Sequence, residues 1–217
     1  MAMHYSPKAV TDGMIFCLDP ANTKSYPGSG GIISDIAGGY TGTITGASFV
    51  DLNGGALDFQ NSTSHYVLTD FSYSGDWTIC FWGYFDSSSG PVNYPIRVAT
   101  AASTPNVYEA GIFVFYYGNW GFYDGDNSVN GVGTINYGEW YNICVSRSST
   151  TYKTFLNGSN TSSGTLDDID INTLMLGKRD YGFPIDGKLS HVCVYNRALT
   201  EAETTQNYNA LKGRFGL

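Results

Sequence analysis

The run Trp77–Phe85, WTICFWGYF, is apolar on both of its alternating faces, with Trp77, Ile79, Phe81 and Phe85 on one side and Cys80, Trp82 and Tyr84 on the other. Such a strand is unfavourable wherever either side stays in water, so it belongs in the middle of a sheet covered above and below. Period-two runs rich in β-branched and aromatic residues recur at Gly13–Asp19, Ala56–Gln60, His65–Thr69, Ile112–Tyr117, Trp140–Arg147, Tyr152–Leu156, Leu174–Gly177 and Lys188–Tyr195. Gly, Asn, Asp and Ser separate them. Asn157-Gly158 is a two-residue hairpin signal, because both positions tolerate positive φ. Many short, closely spaced strands predict an all-β sandwich or barrel in preference to a parallel α/β sheet. Strict alternation within Lys188–Tyr195 sets Val192 and Val194 on one face and Leu189, His191, Cys193 and Tyr195 on the other, with His191 a buried, satisfied histidine in preference to a ligand.

One segment breaks the pattern. Thr200-Glu201-Ala202-Glu203 is a capping box, with Thr200 as N-cap and Glu203 three residues on, and Lys212, Gly213 and Arg214 close a short C-terminal helix. No linker, charge run or internal repeat divides the chain, which predicts one domain over 12–217 preceded by an extended arm at 1–11. At 217 residues a single core needs no staple. The formal charge of −8 and pI near 4.6 exclude a partner held mainly through phosphates, so neither nucleic acid nor an anionic membrane is expected. No stretch of 18 apolar residues exists to make a spanning helix, and Met1–Val10 shows no apolar signal region, which points to synthesis in a cytoplasm. Cys17, Cys80, Cys144 and Cys193 stand singly in apolar runs with no CxxC pair, so a zinc cage has little support. Free thiols packed as small hydrophobes are favoured over disulfides.

An ordered set of segments resembles the laminin-G-like branch of the concanavalin A-like lectin/glucanase superfamily. Asp12–Asp19 with the following NTKSYPG, Asn53–Val67, the aromatic strand Asp76–Phe85, Glu139–Ser148, Phe155-Leu156-Asn157-Gly158, and Ile185–Leu189 through Tyr195–Glu203 (YNRALTEAE) fall in the family's order. The resemblance implies a two-sheet antiparallel jelly roll. It extends to stand-alone copies in tailed-bacteriophage virion proteins, where NTKSYPG-like openings and RFG-like endings recur; that implies localisation to a virion.

The superfamily's hydrolases use paired carboxylates in a Glu-x-Asp-x-x-Glu type motif. Of four glutamates here, Glu109, Glu139, Glu201 and Glu203, none starts such a motif, and Asp167, Asp168 and Asp170 sit in a turn-like stretch. No nucleophile elbow is present either, so no enzymatic activity is expected. Sugar binding requires flat rings with amides and carboxylates nearby. Tyr116, Tyr117, Trp120 and Tyr123 with Asn127, and Arg179 with Tyr181, provide that mixture, which suits a ligand platform and contacts between copies equally well. Asp124 and Asp126 are candidate Ca²⁺ ligands, with Asp19, Asp58 and Asp186 as further oxygen donors. The expected role is a non-enzymatic virion appendage with a lectin-like domain, multivalent or homo-oligomeric, whose partners are glycans or other virion proteins. A cellular adhesion module and a glycan hydrolase are the alternatives.

Overall fold

The computed structural model describes residues 8–62, 64–87, 92–98, 110–115, 118–178 and 182–217. Numbered along the chain, one sheet holds β1 (Met14–Leu18), β4 (Ser48–Val50), β5 (Ala56–Asp58), β7 (Trp77–Ser87), β12 (Trp140–Ser148), β13 (Thr151–Leu156), β14 (Ser159–Thr165) and β16 (Asp186–Tyr195). The other holds β2 (Ile32–Ser34), β3 (Thr41–Thr45), β6 (Tyr66–Thr69), β8 (Val92–Val98), β9 (Ala110–Phe115), β10 (Trp120–Tyr123), β11 (Ser128–Asn130) and β15 (Leu174–Leu176). The first sheet runs β14-β13-β12-β7-β16-β5-β4 with β1 also on β16, and the second runs β11-β10-β9-β8-β15-β6-β3-β2. All the registered strand pairs are antiparallel. This is the two-layer jelly roll that the sequence pattern predicts.

Between the layers, Trp77, Ile79, Phe81, Phe85, Ile143, Val145 and Val194 of the first sheet meet Ile33, Val67, Ile96, Ile112, Phe122 and Leu176 of the second. The other side of β7 is closed too, as its residues require. Trp82 stacks on Phe215 with ring centroids 4.1 Å apart and on Tyr208 at 5.7 Å. Both rings belong to the C-terminal segment, helix α1 (Glu201–Leu211) and the 3-10 turn Lys212–Phe215. The capping box is present as predicted, Thr200 Oγ1 accepting from Glu203 N while the Glu203 carboxylate accepts from Thr200 N. The helix buries Thr204 and Asn207, so hydrogen bonds join the ring stacking in docking it. Thr204 and Thr205 hydroxyls donate to Gly158 O, and Arg214 Nη1 donates to both Asp19 carboxylate oxygens at 2.9 and 3.0 Å. The Asn157-Gly158 hairpin joins β13 to β14 with φ of 51° and 83° at its two positions.

Two expectations are corrected. The four cysteines are paired: Cys144, Cys80, Cys193 and Cys17 line up across β12, β7, β16 and β1, forming Cys80–Cys144 and Cys17–Cys193 disulfides. Spacing along the chain carries no information about register, which is what sets them opposite one another. Second, Leu189 does not share a face with Cys193. β16 uses three steps from Ser190 to Cys193 where β7 uses two from Trp82 to Cys80, so a bulge inserts His191 at φ 47° and moves Leu189 onto the core side with Val192 and Val194. The described part of the N-terminal arm is fastened. Val10 N donates to Asn207 Oδ1 at 2.7 Å, the Tyr195 hydroxyl donates to Val10 O, and Gln206 donates to Lys8 O; the remainder of the arm lies outside the described residues.

Each disulfide ties strands far apart in sequence, so reducing both is expected to cost about 2–5 kcal/mol per bond. Urea unfolding with and without a dithiol checks this, and coincident curves would show that the sulfurs are not joined. A second expectation concerns Glu203, whose side-chain hydrogen bonds from Arg197 lower its pKa to about 2 from 4.5. That contribution is present above pH 4.5 and is lost as pH falls toward 2, so Glu203→Gln should be less stable than the parent at neutral pH and equal to it near pH 2 by chemical unfolding.

Candidate functional site

The C-terminal segment covers Trp82 on the first sheet's outer face, whereas among the described residues no helix lies over the outer face of the second sheet. One residue from every strand of that sheet forms a continuous cross-strand row: Ser128, Tyr123, Gly111, Arg97, Met175, Leu68, Thr43 and Ile32. Their neighbours along each strand, such as Ile112, Phe122, Ile96 and Val67, point into the core, which fixes the row outward. Ile32, Thr43 and Leu68 are exposed, the aliphatic pair by 52% and 41%, and Tyr123 is half-buried. Arg97 Nη1 lies 3.7 Å from Met175 Sδ, holding the guanidinium along the row. Gly111 has to be glycine, since a Cβ there would come within 2.5 Å of Ile96 O and 3.1 Å of Arg97 Cα. The middle of the row is covered: Gly111 is buried and Arg97 and Met175 are 8% and 6% exposed, so the accessible parts are its two ends, Ser128 with the half-buried Tyr123 at one and Leu68, Thr43 and Ile32 at the other.

At the β10–β11 end the turn is built by Asp124. Its Oδ1 accepts from Asp126 N and Asn127 N, and its Oδ2 from Asp167 N at 3.0 Å. Burial pulls its pKa up, and the N–H donors of Asn127, Asp167 and Asp126 outweigh this, holding the carboxyl below the usual carboxylate range. The Tyr123 hydroxyl donates to Gly125 O inside the same turn. Asp124 thus serves as a backbone anchor, while Asp126 and Asn127 are exposed beside it.

The other predicted platform residues divide. Trp120 is fully buried in the inter-sheet core, so its ring offers no face to a sugar; this corrects the reading of it as a ligand contact. Tyr116, Tyr117, Arg179 and Tyr181 lie outside the described residues. Arg97, Met175, Leu68, Thr43 and Ile32 are absent from the sequence-based candidates. Their signal is the residue between two buried neighbours, and it becomes a surface only once eight strands are in register.

Many of the described carboxylates have structural partners. Asp19 pairs with Arg214, Asp58 and Asp86 with Lys188, Asp168 and Asp170 with Arg147, and Glu203 with Arg197. Glu139 accepts from the Tyr141 hydroxyl and Glu201 from Asn160 N. Among the described residues, one group of three potential metal ligands converges, Cys17, His191 and Cys193, with atoms within 4.8 Å of one another. Burial holds the His191 pKa below its ordinary value.

A family model for the concanavalin A-like lectin/glucanases superfamily matches residues 58–204, more than half of the chain. The protein belongs to that superfamily. A sequence search of curated proteins finds no match. Among solved structures, the fourth domain of AbnA, an extracellular arabinanase from Geobacillus stearothermophilus solved with arabinotriose, superposes with a TM-score of 0.70 at 20% identity, over 90% of this chain and 98% of that one. Trypanosoma rangeli sialidase bound to the inhibitor DANA gives 0.74 at 11% identity, over 92% of this chain and 33% of the enzyme. The receptor-binding domain of botulinum neurotoxin type G gives 0.68 at 14%, over 91% and 51%. The chain thus spans about a third of the length of the sialidases it resembles.

Two substitutions separate anchor from ligand contact. Asp124→Asn, which weakens three hydrogen bonds to a charged acceptor, is expected to cost about 1–3 kcal/mol. Trp120→Ala should cost about 3–5 kcal/mol by opening the core. Both are read in denaturant unfolding, and a Trp120→Ala protein of parental stability would contradict its buried placement.

Proposed function

We propose that this protein is a non-catalytic, lectin-like module that holds glycans on the outer face of the second sheet. The observation that carries the reading is the pair of exposed ends of the cross-strand row, Ser128 with the half-buried Tyr123 at one and Leu68, Thr43 and Ile32 at the other, which set hydroxyls beside aliphatic groups. Sugars present flat C–H faces and many hydroxyls, and these ends offer both apolar contact and donors. The isolated arabinanase domain, which this chain matches over nearly its whole length and which was solved with a trisaccharide, supports the same reading. Against hydrolysis stands the chemistry of the row, which contains no carboxylate, together with the salt bridges and hydrogen bonds that occupy the acidic groups elsewhere.

The setting is part of the proposal. Two disulfides suit a chain used outside the reducing cytosol. Display in many copies on a particle, in particular as an appendage or decoration of a phage virion, would suit a shallow site. A single contact of about millimolar Kd is worth near −4 kcal/mol, and repetition raises avidity by about 10²–10⁴.

Glycan-array binding of the multimerised protein, compared with Tyr123→Ala and Leu68→Asp, tests this. Binding to a defined glycan set that is lost in both variants, each with the parent's melting temperature, is the expected result. No glycan bound, or binding indifferent to both changes, would sink the proposal. Recovery of the protein with purified particles is the expected outcome for the virion setting, and its absence from them would refute that part.

A further inference from the structure

The convergence of Cys17, His191 and Cys193 is unexplained by the lectin-like reading. The bulge in β16 marks the place where β5 stops pairing at Lys188–Leu189 and β1 begins at Val192, both on the same edge. His191 occupies the extra position. Among the described non-glycine residues in the left-handed region, it is the one inside a strand; Asn53, Asn61, Ser149, Asn157 and Phe183 lie in turns or irregular chain. A bulge re-aims side chains, and here it turns Leu189 into the core while the imidazole stays on the Cys193 side of the strand, against two sulfurs. His191 Nε2 lies 3.8 Å from Cys193 Sγ and 4.0 Å from Cys17 Sγ. Cys80 stands opposite Cys193 in the β7–β16 register, so a third sulfur belongs to the same row.

We propose that reduction of the Cys17–Cys193 disulfide turns this cluster into a site for one thiophilic divalent cation, zinc being the expected metal, held by both sulfurs and His191 Nε2. The nitrogen–sulfur separations already approach those of a metal centre. With metal–sulfur bonds of about 2.3 Å and metal–nitrogen bonds of about 2.0 Å, the sulfur–nitrogen edge of a tetrahedron is about 3.5 Å. A dithiol reductant delivers two electrons to the disulfide, which becomes two thiols while the reductant becomes a disulfide. The cation then binds both sulfurs as thiolates and releases two protons to solvent. Metal and disulfide are therefore alternative clasps between the same two strands, β1 and β16, one for reducing and one for oxidising surroundings.

Cobalt(II) is the probe. The full-length protein, oxidised or reduced by a phosphine, is titrated with Co²⁺ under anaerobic conditions and then with Zn²⁺. The reduced chain is expected to bind one equivalent, with thiolate-to-cobalt charge-transfer and tetrahedral ligand-field bands that zinc abolishes, and the oxidised chain to show neither. His191→Ala and Cys17→Ser are expected to weaken binding by about tenfold or more. Cys144→Ser, which removes a sulfur outside the proposed ligand set, should leave the affinity within about threefold. Near-UV circular dichroism follows the fold; if the reduced, metal-free chain opens, zinc is expected to restore the native spectrum. Absence of the bands in the reduced chain, equal binding by the oxidised chain, unchanged affinity in His191→Ala, or failure of zinc to restore an opened fold would each overturn the proposal.

Discussion

A strand that is apolar on both faces is the constraint from which the architecture follows. β7 carries Trp77, Ile79, Phe81 and Phe85 on one side and Cys80 and Trp82 on the other, all of them buried. The second sheet covers the first set. Nothing in a two-layer sandwich covers the second, so the chain supplies a third, partial layer from its last twenty residues, with Phe215 and Tyr208 laid flat on Trp82. Once that layer is in place, the two outer surfaces are no longer equivalent. One is roofed by α1, and the other carries the cross-strand row.

Legibility in the sequence follows the range of the interaction. Period-two runs, the Asn157-Gly158 turn and the Thr200–Glu203 capping box depend on residues a few positions apart, and each appears in the structure where the sequence puts it. The cysteine pairing and the row from Ser128 to Ile32 depend on register between strands distant in the chain, which no local pattern encodes. The bulge at His191 escapes for a related reason. It breaks the alternation by one residue, and a strand whose residues are apolar on both faces gives no polarity signal by which to notice the slip. Trp120 shows the converse error. An aromatic, glycine-rich stretch has the composition of a sugar platform, yet its tryptophan is a core residue, because composition does not say which of two faces a ring takes.

The acidic balance of the chain acquires meaning at the level of single contacts. Arg147, Arg197, Arg214 and Lys188 each stand among carboxylates, and these clusters sit where separated parts of the chain must be joined: the Asp168–Asp170 loop to β12, the approach to α1, the C-terminal turn to the end of β1, and β16 to β5 and β7. Such pairs add little when exposed, but Arg147 and Arg214 are largely enclosed and also donate to backbone carbonyls, which makes them specific fasteners.

The fastening of residues 8–10 to α1, and of the 3-10 turn to Asp19 and Asn53, brings both extremities of the described chain onto one side of the molecule. Residues 8–10 and the 3-10 turn thus lie over the first sheet, on the side opposite the outer face of the second.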